Sequence, residues 1–137
     1  MKHGLAISLC AAFMVGLAPP GFSQPPAPGF PVLQAEQAAG RHVFEEHCAP
    51  CHAQPASYGP SLEGVVGRRA GTLPLFPYSD ALKKSGVVWT EGNLRKWIAN
   101  SAKMIPNTLM PHVSISDPAE QIYLVAYLKT LSAPTSN

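Results

Sequence analysis

The clearest helical pattern lies near the C-terminal end of the chain. The apolar residues that recur there at helical spacing are Ile122, Leu124, Val125, Leu128 and Leu131. Asp117 precedes them in the position of an N-cap, Pro118 follows at the first helical position, and Glu120 completes a capping-box pattern. The pattern predicts a helix that begins after Asp117 and buries one apolar face.

A second helical pattern begins at Ala35, in the stretch AEQAAGRHVFEEHC. It places Gly40, Val43 and Phe44 on one stripe, with charged residues opposite. A glycine inside a helix costs about 1 kcal/mol relative to alanine, so Gly40 indicates that another helix crosses closely there.

Two further helices are predicted in the middle of the chain. Thr90 is the expected cap of one of them, in which Leu94, Trp97 and Ile98 recur at helical spacing. The stretch SDALKKSG predicts a short helix that ends at Gly86. The remaining segments are loops without the alternation of a strand. The expected fold is therefore all-α, with three to four helices and long loops around a thin core that a bound group completes.

The N-terminal segment has the pattern of a secretory signal peptide. Lys2 and His3 precede an apolar run from residue 5 to residue 18, which is too short for a comfortable membrane span. Gly21 and Ser23 are the small residues that signal peptidase favours, so cleavage is expected after Ser23. A retained membrane anchor is the alternative. Export predicts a periplasmic protein without stable membrane insertion after cleavage.

The domain organisation follows from these patterns. We expect a signal peptide over residues 1–23, a flexible proline-rich leader over 24–34, one domain over 35–133 and a disordered tail over 134–137. Charged residues make up only 13% of the chain and its formal net charge is +2, so no nucleic-acid partner is implied.

The chemistry is concentrated in Cys-Ala-Pro-Cys-His, residues 48–52. Two thiols three residues apart can reach the two vinyl groups on one edge of a porphyrin, and the next imidazole is then brought under the iron. Cys48 and Cys51 are thus predicted to bind one haem c covalently, with His52 as the fifth ligand. Signal cleavage removes Cys10, so the haem uses both remaining cysteines.

Three other uses of these cysteines stay open on the motif alone. A thioredoxin-like redox pair needs a strand–helix–strand setting, which this chain lacks. A zinc site needs a second pair of ligands, and His42, His47 and His112 do not supply one at the usual spacing. A structural disulfide is the third alternative in an exported protein.

The chain from about Gly40 to Leu131 resembles the class I c-type cytochromes, close to mitochondrial cytochrome c and cytochrome c2. After the haem motif the resemblance lies, in order, in the segments GPSLEGVVGR, FPYSDALKKSG, VVWTEGNLRKWI, MIPNTLMP and LVAYLK. It implies a cytochrome c fold, with the first helix crossing the last near Gly40.

By the same resemblance, Met110 is the sixth ligand of the haem iron. Met/His ligation raises the reduction potential. From the residues alone, Met104 remains a competitor, since a methionine is as readily a packing residue. The resemblance also implies that the Pro60 carbonyl holds His52. The remaining haem contacts that it implies are those to the propionates, from Arg68, Tyr78 and Trp89 on one side and from Thr108 on the other.

The sequence departs from the family at four informative positions. Trp97 stands where the family has a tyrosine near the methionine sulfur, and Leu82 replaces an asparagine, so we expect a drier and less polar haem pocket. Leu109 and His47 replace lysines of the ring that docks acidic partners. Docking is therefore expected to depend less on salt than in basic members.

An iron with both axial positions filled leaves no site for a substrate, so enzyme activity is not expected. The sequence instead predicts a periplasmic one-electron carrier between redox protein partners of a respiratory or dehydrogenase system, acting as a monomer. The alternative is a dedicated cytochrome subunit of a periplasmic oxidoreductase complex. A haem sensor or peroxidase-like enzyme is the third hypothesis, and it requires Met110 to be labile.

Overall fold

The structure, a computed structural model, describes residues 29–53, 58–110 and 114–131. The six helices within these ranges are α1 (Phe30–His47), α2 (Ala49–His52), α3 (Asp80–Lys84), α4 (Glu91–Ala99), α5 (Ser101–Met104) and α6 (Pro118–Thr130). Backbone pairing between extended segments is limited, in the described part, to one isolated bridge between Arg69 and Val88. The all-α prediction is confirmed, and α2 and α5 are single turns beyond the predicted helices.

Some predictions concern residues outside the described ranges. These are the signal peptide over 1–23, the leader up to residue 28 and the tail over 134–137. His112, considered above as a zinc ligand, also lies outside the described ranges. None of the helices that the structure describes has both the length and the apolarity needed to cross a membrane.

Helix α1 begins at Phe30 rather than at Ala35, so residues 30–34 of the predicted flexible leader are helical. Gly29 precedes the helix with a left-handed backbone, at φ 104°. Pro31 lies in the first turn, where a missing N–H removes no helical hydrogen bond and the fixed φ suits the helix. The proline that indicated a leader is therefore compatible with a helix start.

Gly40 allows α1 to cross α6 in close contact, as predicted. A Cβ atom at this position would overlap the backbone carbonyl of Tyr123 and lie 2.9 Å from the Cβ of Tyr127. One turn further along α1, the ring of Phe44 packs against Tyr127 with a centroid distance of 5.2 Å. This crossing fixes the end of α1, from which the haem motif follows.

Helix α6 buries most of its predicted apolar face, since Leu124, Val125 and Leu128 are at most 3% exposed. Ile122 is 43% exposed, so its assignment to that face was wrong. Successive helical residues are rotated by about 100°, which turns Ile122 away from the stripe of Leu124 and Leu128. The carboxylate of Asp117 caps the helix but accepts from the amide of Ala119, whereas a capping box would use the next amide, that of Glu120.

The cap predicted at Thr90 is confirmed. The Thr90 hydroxyl accepts from the amide of Asn93, at 3.2 Å, and begins α4. Its inner residues Leu94, Trp97 and Ile98 are buried and join the core that α6 completes. The core side of α4 therefore faces the middle of the domain, where the candidate site lies.

Replacing Gly40 by alanine is predicted to destabilise the protein by about 1–3 kcal/mol, because the new methyl group meets backbone atoms of α6 that cannot rotate away. Denaturant unfolding of the haem-loaded protein would measure the change. Gly92→Ala is the matched control, since Gly92 also lies in a helix but a Cβ there meets nothing within 4 Å. The control should be neutral or slightly stabilising. Equal midpoints for the two variants would contradict the close crossing.

Candidate functional site

A largely apolar cavity of about 340 Å³ lies between α2, α4, α6 and the loops around them. Its volume is within the usual range for cofactor pockets. The wall contains every residue predicted from the sequence to contact the haem: Cys48, Cys51, His52, Pro60, Arg68, Tyr78, Trp89, Trp97, Thr108 and Met110. The structure thus brings together residues from five separate stretches of the chain.

The short helix α2 places the three residues of the haem motif on one wall. Cys48 ends α1, where its N–H donates to the Phe44 carbonyl, and then its own carbonyl accepts from the amides of Cys51, at 3.1 Å, and His52, at 2.9 Å. Residues three and four positions apart lie on the same side of a helical turn. The two sulfur atoms and the imidazole therefore line the same cavity.

The chemistry of Cys48 argues against a redox-active or metal-binding pair. Burial raises the pKa of the Cys48 thiol to about 11, and neighbouring Cys51 adds to the increase. A reactive or metal-binding cysteine instead needs a lowered pKa, because the thiolate is the active form. Among the described residues, moreover, no three His, Cys, Asp or Glu side chains form a group that could hold a metal ion.

His52 is oriented by a single short hydrogen bond. Its Nδ1 lies 2.7 Å from the carbonyl oxygen of Pro60. Because a carbonyl only accepts, Nδ1 must carry the proton, which leaves the lone pair of the imidazole on Nε2. This is the tautomer that an axial ligand of iron requires.

Gly59 is a functional residue that the sequence analysis missed. Its amide donates to the carbonyl of Cys51, at 2.8 Å. A Cβ atom at Gly59 would lie between 2.6 and 3.0 Å from atoms of the His52 ring. Only a residue without a side chain leaves the imidazole this space, and the glycine directly before Pro60 was the only available signal.

Met110, the predicted sixth ligand, has a hydrogen-bond partner of its own. The indole N–H of Trp97 donates to the thioether sulfur of Met110, at 3.0 Å. Trp97 is 7% exposed and packs against Trp89, with ring centroids 5.1 Å apart. The prediction of a less polar pocket is therefore wrong at the sulfur, because the Trp97 indole supplies a hydrogen-bond donor there. Leu82 is buried and lines the cavity wall.

Met104, the competing methionine, packs against the core and is not among the described residues that line the cavity. A tight turn separates the two methionines: the Thr108 amide donates to the Ile105 carbonyl, with Pro106 and Asn107 between them. Asn107 has a φ of 65°, as the third residue of a type II turn requires. The turn brings Thr108 and Met110 to the cavity wall.

Among the described residues that line the cavity, Arg68 is the only Lys, Arg, Asp or Glu. Its guanidinium donates to the backbone carbonyls of Glu63, at 2.8 Å, and Ser61, at 2.9 Å. Tyr78 lies near it: burial raises the pKa of the phenol, and the positive charge of Arg68 partly opposes the increase. A cation on this otherwise apolar wall fits an acidic group of a cofactor.

Comparisons with known proteins agree on one family. The sequence profile of the family described as Cytochrome c matches residues 37–132. Cytochrome c2 of Rhodopila globiformis is 41% identical over 107 residues, which cover 76% of this chain and 95% of the relative. Cytochrome c of Euglena viridis is 37% identical over 95 residues, covering 67% of this chain and 93% of the relative.

Among solved structures, cytochrome cH from Methylobacterium extorquens superposes with a TM-score of 0.65 at 43% sequence identity. The match covers 69% of this chain and 97% of that structure.

Replacing Gly59 by alanine is predicted to reduce the yield of haem-loaded protein several-fold, because the methyl group occupies space next to the His52 ring. The yield would be measured after expression with a cytochrome c maturation system, as covalent haem per chain by mass spectrometry. Gly92→Ala, which meets nothing within 4 Å, is the control and should load normally. Normal loading of both variants, with unchanged visible spectra, would contradict the proposed packing of Gly59 on His52.

Proposed function

The chain belongs to the cytochrome c family, and we propose that it is a periplasmic one-electron carrier in which His52 and Met110 are the axial ligands of its haem. As in the family, one haem c is bound covalently and the protein is an electron carrier rather than an enzyme. The observation that carries the ligand assignment is the single cavity that both side chains line.

The residues of the cavity fit this group. Cys48 and Cys51 supply the sulfur atoms for two thioether links, the tautomer of His52 leaves Nε2 for iron, and Met110 supplies a thioether. The apolar wall suits the porphyrin, while Arg68 suits a propionate. Bound in this way, the haem supplies a metal ion that changes between the ferrous and ferric states.

The contribution of the chain is to keep both ligands in place in each state. The Pro60 carbonyl fixes the ring of His52, and the Trp97 indole fixes the sulfur of Met110. The indole nitrogen of Trp97 can only donate a hydrogen bond, so it does not accept one from water. Buried apolar neighbours exclude solvent, and little rearrangement then accompanies the gain or loss of an electron.

Partner docking is proposed at the rim of the cavity. Leu109 and Tyr58 line the cavity and are also 73% and 85% exposed, so they form an uncharged surface at its mouth. His47 lies at the same rim, 3.9 Å from the carboxylate of Glu46. We infer a redox protein partner that is recognised mainly by apolar contact.

This rim also favours the second candidate function, a dedicated cytochrome subunit of one periplasmic oxidoreductase. Exposed apolar residues at the electron-transfer edge suit a lasting interface better than a brief encounter. The two functions differ in the strength of association. Co-purification of the native protein with a catalytic subunit would favour the second, and isolation as a free monomer would favour the first.

Carbon monoxide binding tests the ligand assignment and the carrier function together. The reduced wild-type protein is predicted not to bind carbon monoxide at neutral pH, because the thioether of Met110 occupies the sixth position. Met110→Ala should bind it readily, as seen by a shift of the visible spectrum. Met104→Ala is the matched control and should behave as wild type, since Met104 packs against the core.

Ready binding of carbon monoxide by the wild-type protein would contradict the assignment and favour the sensor or peroxidase-like hypothesis. If Met104→Ala bound carbon monoxide and Met110→Ala did not, Met104 would be the sixth ligand and Met110 the packing residue.

The uncharged rim predicts that electron transfer depends weakly on ionic strength. The probe is the oxidation rate of the reduced protein by the anion hexacyanoferrate(III), measured across a range of salt concentrations. Leu109→Lys should speed oxidation several-fold at low ionic strength and steepen its fall with salt, because it places a cation at the cavity mouth. Leu109→Gln, polar but uncharged, should follow the wild type. A wild-type salt dependence as steep as that of Leu109→Lys would contradict the apolar docking surface.

A further inference from the structure

Arg68 has contacts that a role towards a propionate does not require. Its guanidinium donates from Nη1 to the carbonyl of Glu63 and from Nη2 to the carbonyl of Ser61. We propose that Arg68 is a positioning residue for His52, which it holds in orientation through the backbone segment from Pro60 to Glu63. This inference rests on the proposed function, because it assumes that His52 ligates the iron.

The guanidinium bridges two points of the same segment. Its two donor nitrogens lie in one rigid plane, at 2.8 Å from the Glu63 oxygen and 2.9 Å from the Ser61 oxygen. The segment is also tied internally, because the Ser61 hydroxyl accepts from the Glu63 amide at 3.2 Å. A planar fork that bonds both carbonyls fixes the position and the tilt of this short stretch.

The bridged segment begins next to the carbonyl that holds His52. Pro60 directly precedes Ser61, and the Pro60 oxygen lies 2.7 Å from Nδ1 of His52. Consecutive carbonyls share a peptide backbone with only two soft dihedral angles per residue, so fixing one restricts the next. Arg68 therefore restrains the acceptor of the imidazole proton without touching the imidazole.

Arg68 can serve as an anchor because its own backbone is held. Its amide donates to the Val65 carbonyl, at 3.1 Å, and its carbonyl accepts from the Trp89 amide, at 2.9 Å. The Gly67 amide in turn donates to the Trp89 carbonyl, also at 2.9 Å. The restraint on His52 thus starts from the buried Trp89 segment and not from a loose surface loop.

The consequence concerns the strength of the bond between Nδ1–H and the Pro60 carbonyl. A strong bond makes the imidazole a better electron donor and so favours ferric iron, whereas a loosened acceptor favours ferrous iron. Weakening the hydrogen bonds from Arg68 to the Ser61 and Glu63 carbonyls should therefore raise the reduction potential. Removing the positive charge of Arg68 acts in the opposite direction, because a nearby cation disfavours the ferric state. A substitution that keeps the charge separates the two effects.

The test is hydrogen–deuterium exchange of the His52 Nδ1 proton, followed by NMR in the reduced, diamagnetic haem-loaded protein. Arg68→Lys keeps the charge but cannot reproduce the planar fork, so we expect this proton to exchange about tenfold faster. The backbone amide of Leu128, a buried residue of α6, reports global opening and should keep its wild-type rate. The reduction potential of Arg68→Lys should rise.

Arg69→Lys is the matched control, since Arg69 is the next residue in sequence and is exposed. It should leave the Nδ1 exchange and the potential unchanged. Arg68→Gln is a second variant that keeps a planar donor group and loses the charge. It should lower the potential relative to Arg68→Lys, and it decides the question if the lysine variant gives too little protein.

If the Nδ1 proton exchanged at the wild-type rate in both Arg68 variants, the positioning role of Arg68 would be overturned, while the proposed function would remain intact. Faster exchange that the Leu128 amide shares would also overturn it, because the effect would then be global. If the wild-type protein itself showed no signal of an iron-bound imidazole, the proposed function would fail along with the inference.

Discussion

The structure depends on an apolar core that surrounds a cavity instead of closing on itself. Without an occupant, the apolar wall of this cavity of about 340 Å³ would face solvent, and burying such surface stabilises a protein by about 25 cal/mol per Å². The covalent haem is therefore part of the core as well as the redox centre. Helices α1, α4 and α6 form the framework around it, and the close crossing at Gly40 sets where the haem motif begins.

The two proposed ligands are held by hydrogen bonds of opposite sense. His52 donates to a backbone carbonyl, which increases its electron donation, whereas Met110 accepts from an indole N–H, which decreases that of the sulfur. Each partner is itself fixed, Pro60 through the segment that Arg68 bridges and Trp97 through its burial against Trp89. The pocket thus combines apolar walls with one polar contact to each ligand. Such an arrangement suits an electron carrier, because neither ligand has to move when the charge of the iron changes.

Much of this could be predicted because the signals are local or follow a family pattern. The haem motif, the helix caps at Thr90 and Asp117, and the close approach at Gly40 each depend on a few neighbouring residues. The features that were missed depend on tertiary contacts or on weak local preferences. Packing between separate segments decides whether the Trp97 indole reaches the sulfur of Met110. It also decides whether Gly59 lies against the ring of His52. The start of α1 was misplaced because proline is as compatible with a first helical turn as with a leader.

The central claim is that one nitrogen ligand from His52 and one sulfur ligand from Met110 bind the same iron. Iron K-edge X-ray absorption of the oxidised, haem-loaded protein tests it most directly, because the fine structure counts sulfur and nitrogen neighbours. The account predicts six-coordinate iron with five nitrogen neighbours and one sulfur neighbour, and loss of the sulfur in Met110→Ala. A five-coordinate iron, or six nitrogen or oxygen neighbours without sulfur in the wild-type protein, would contradict it.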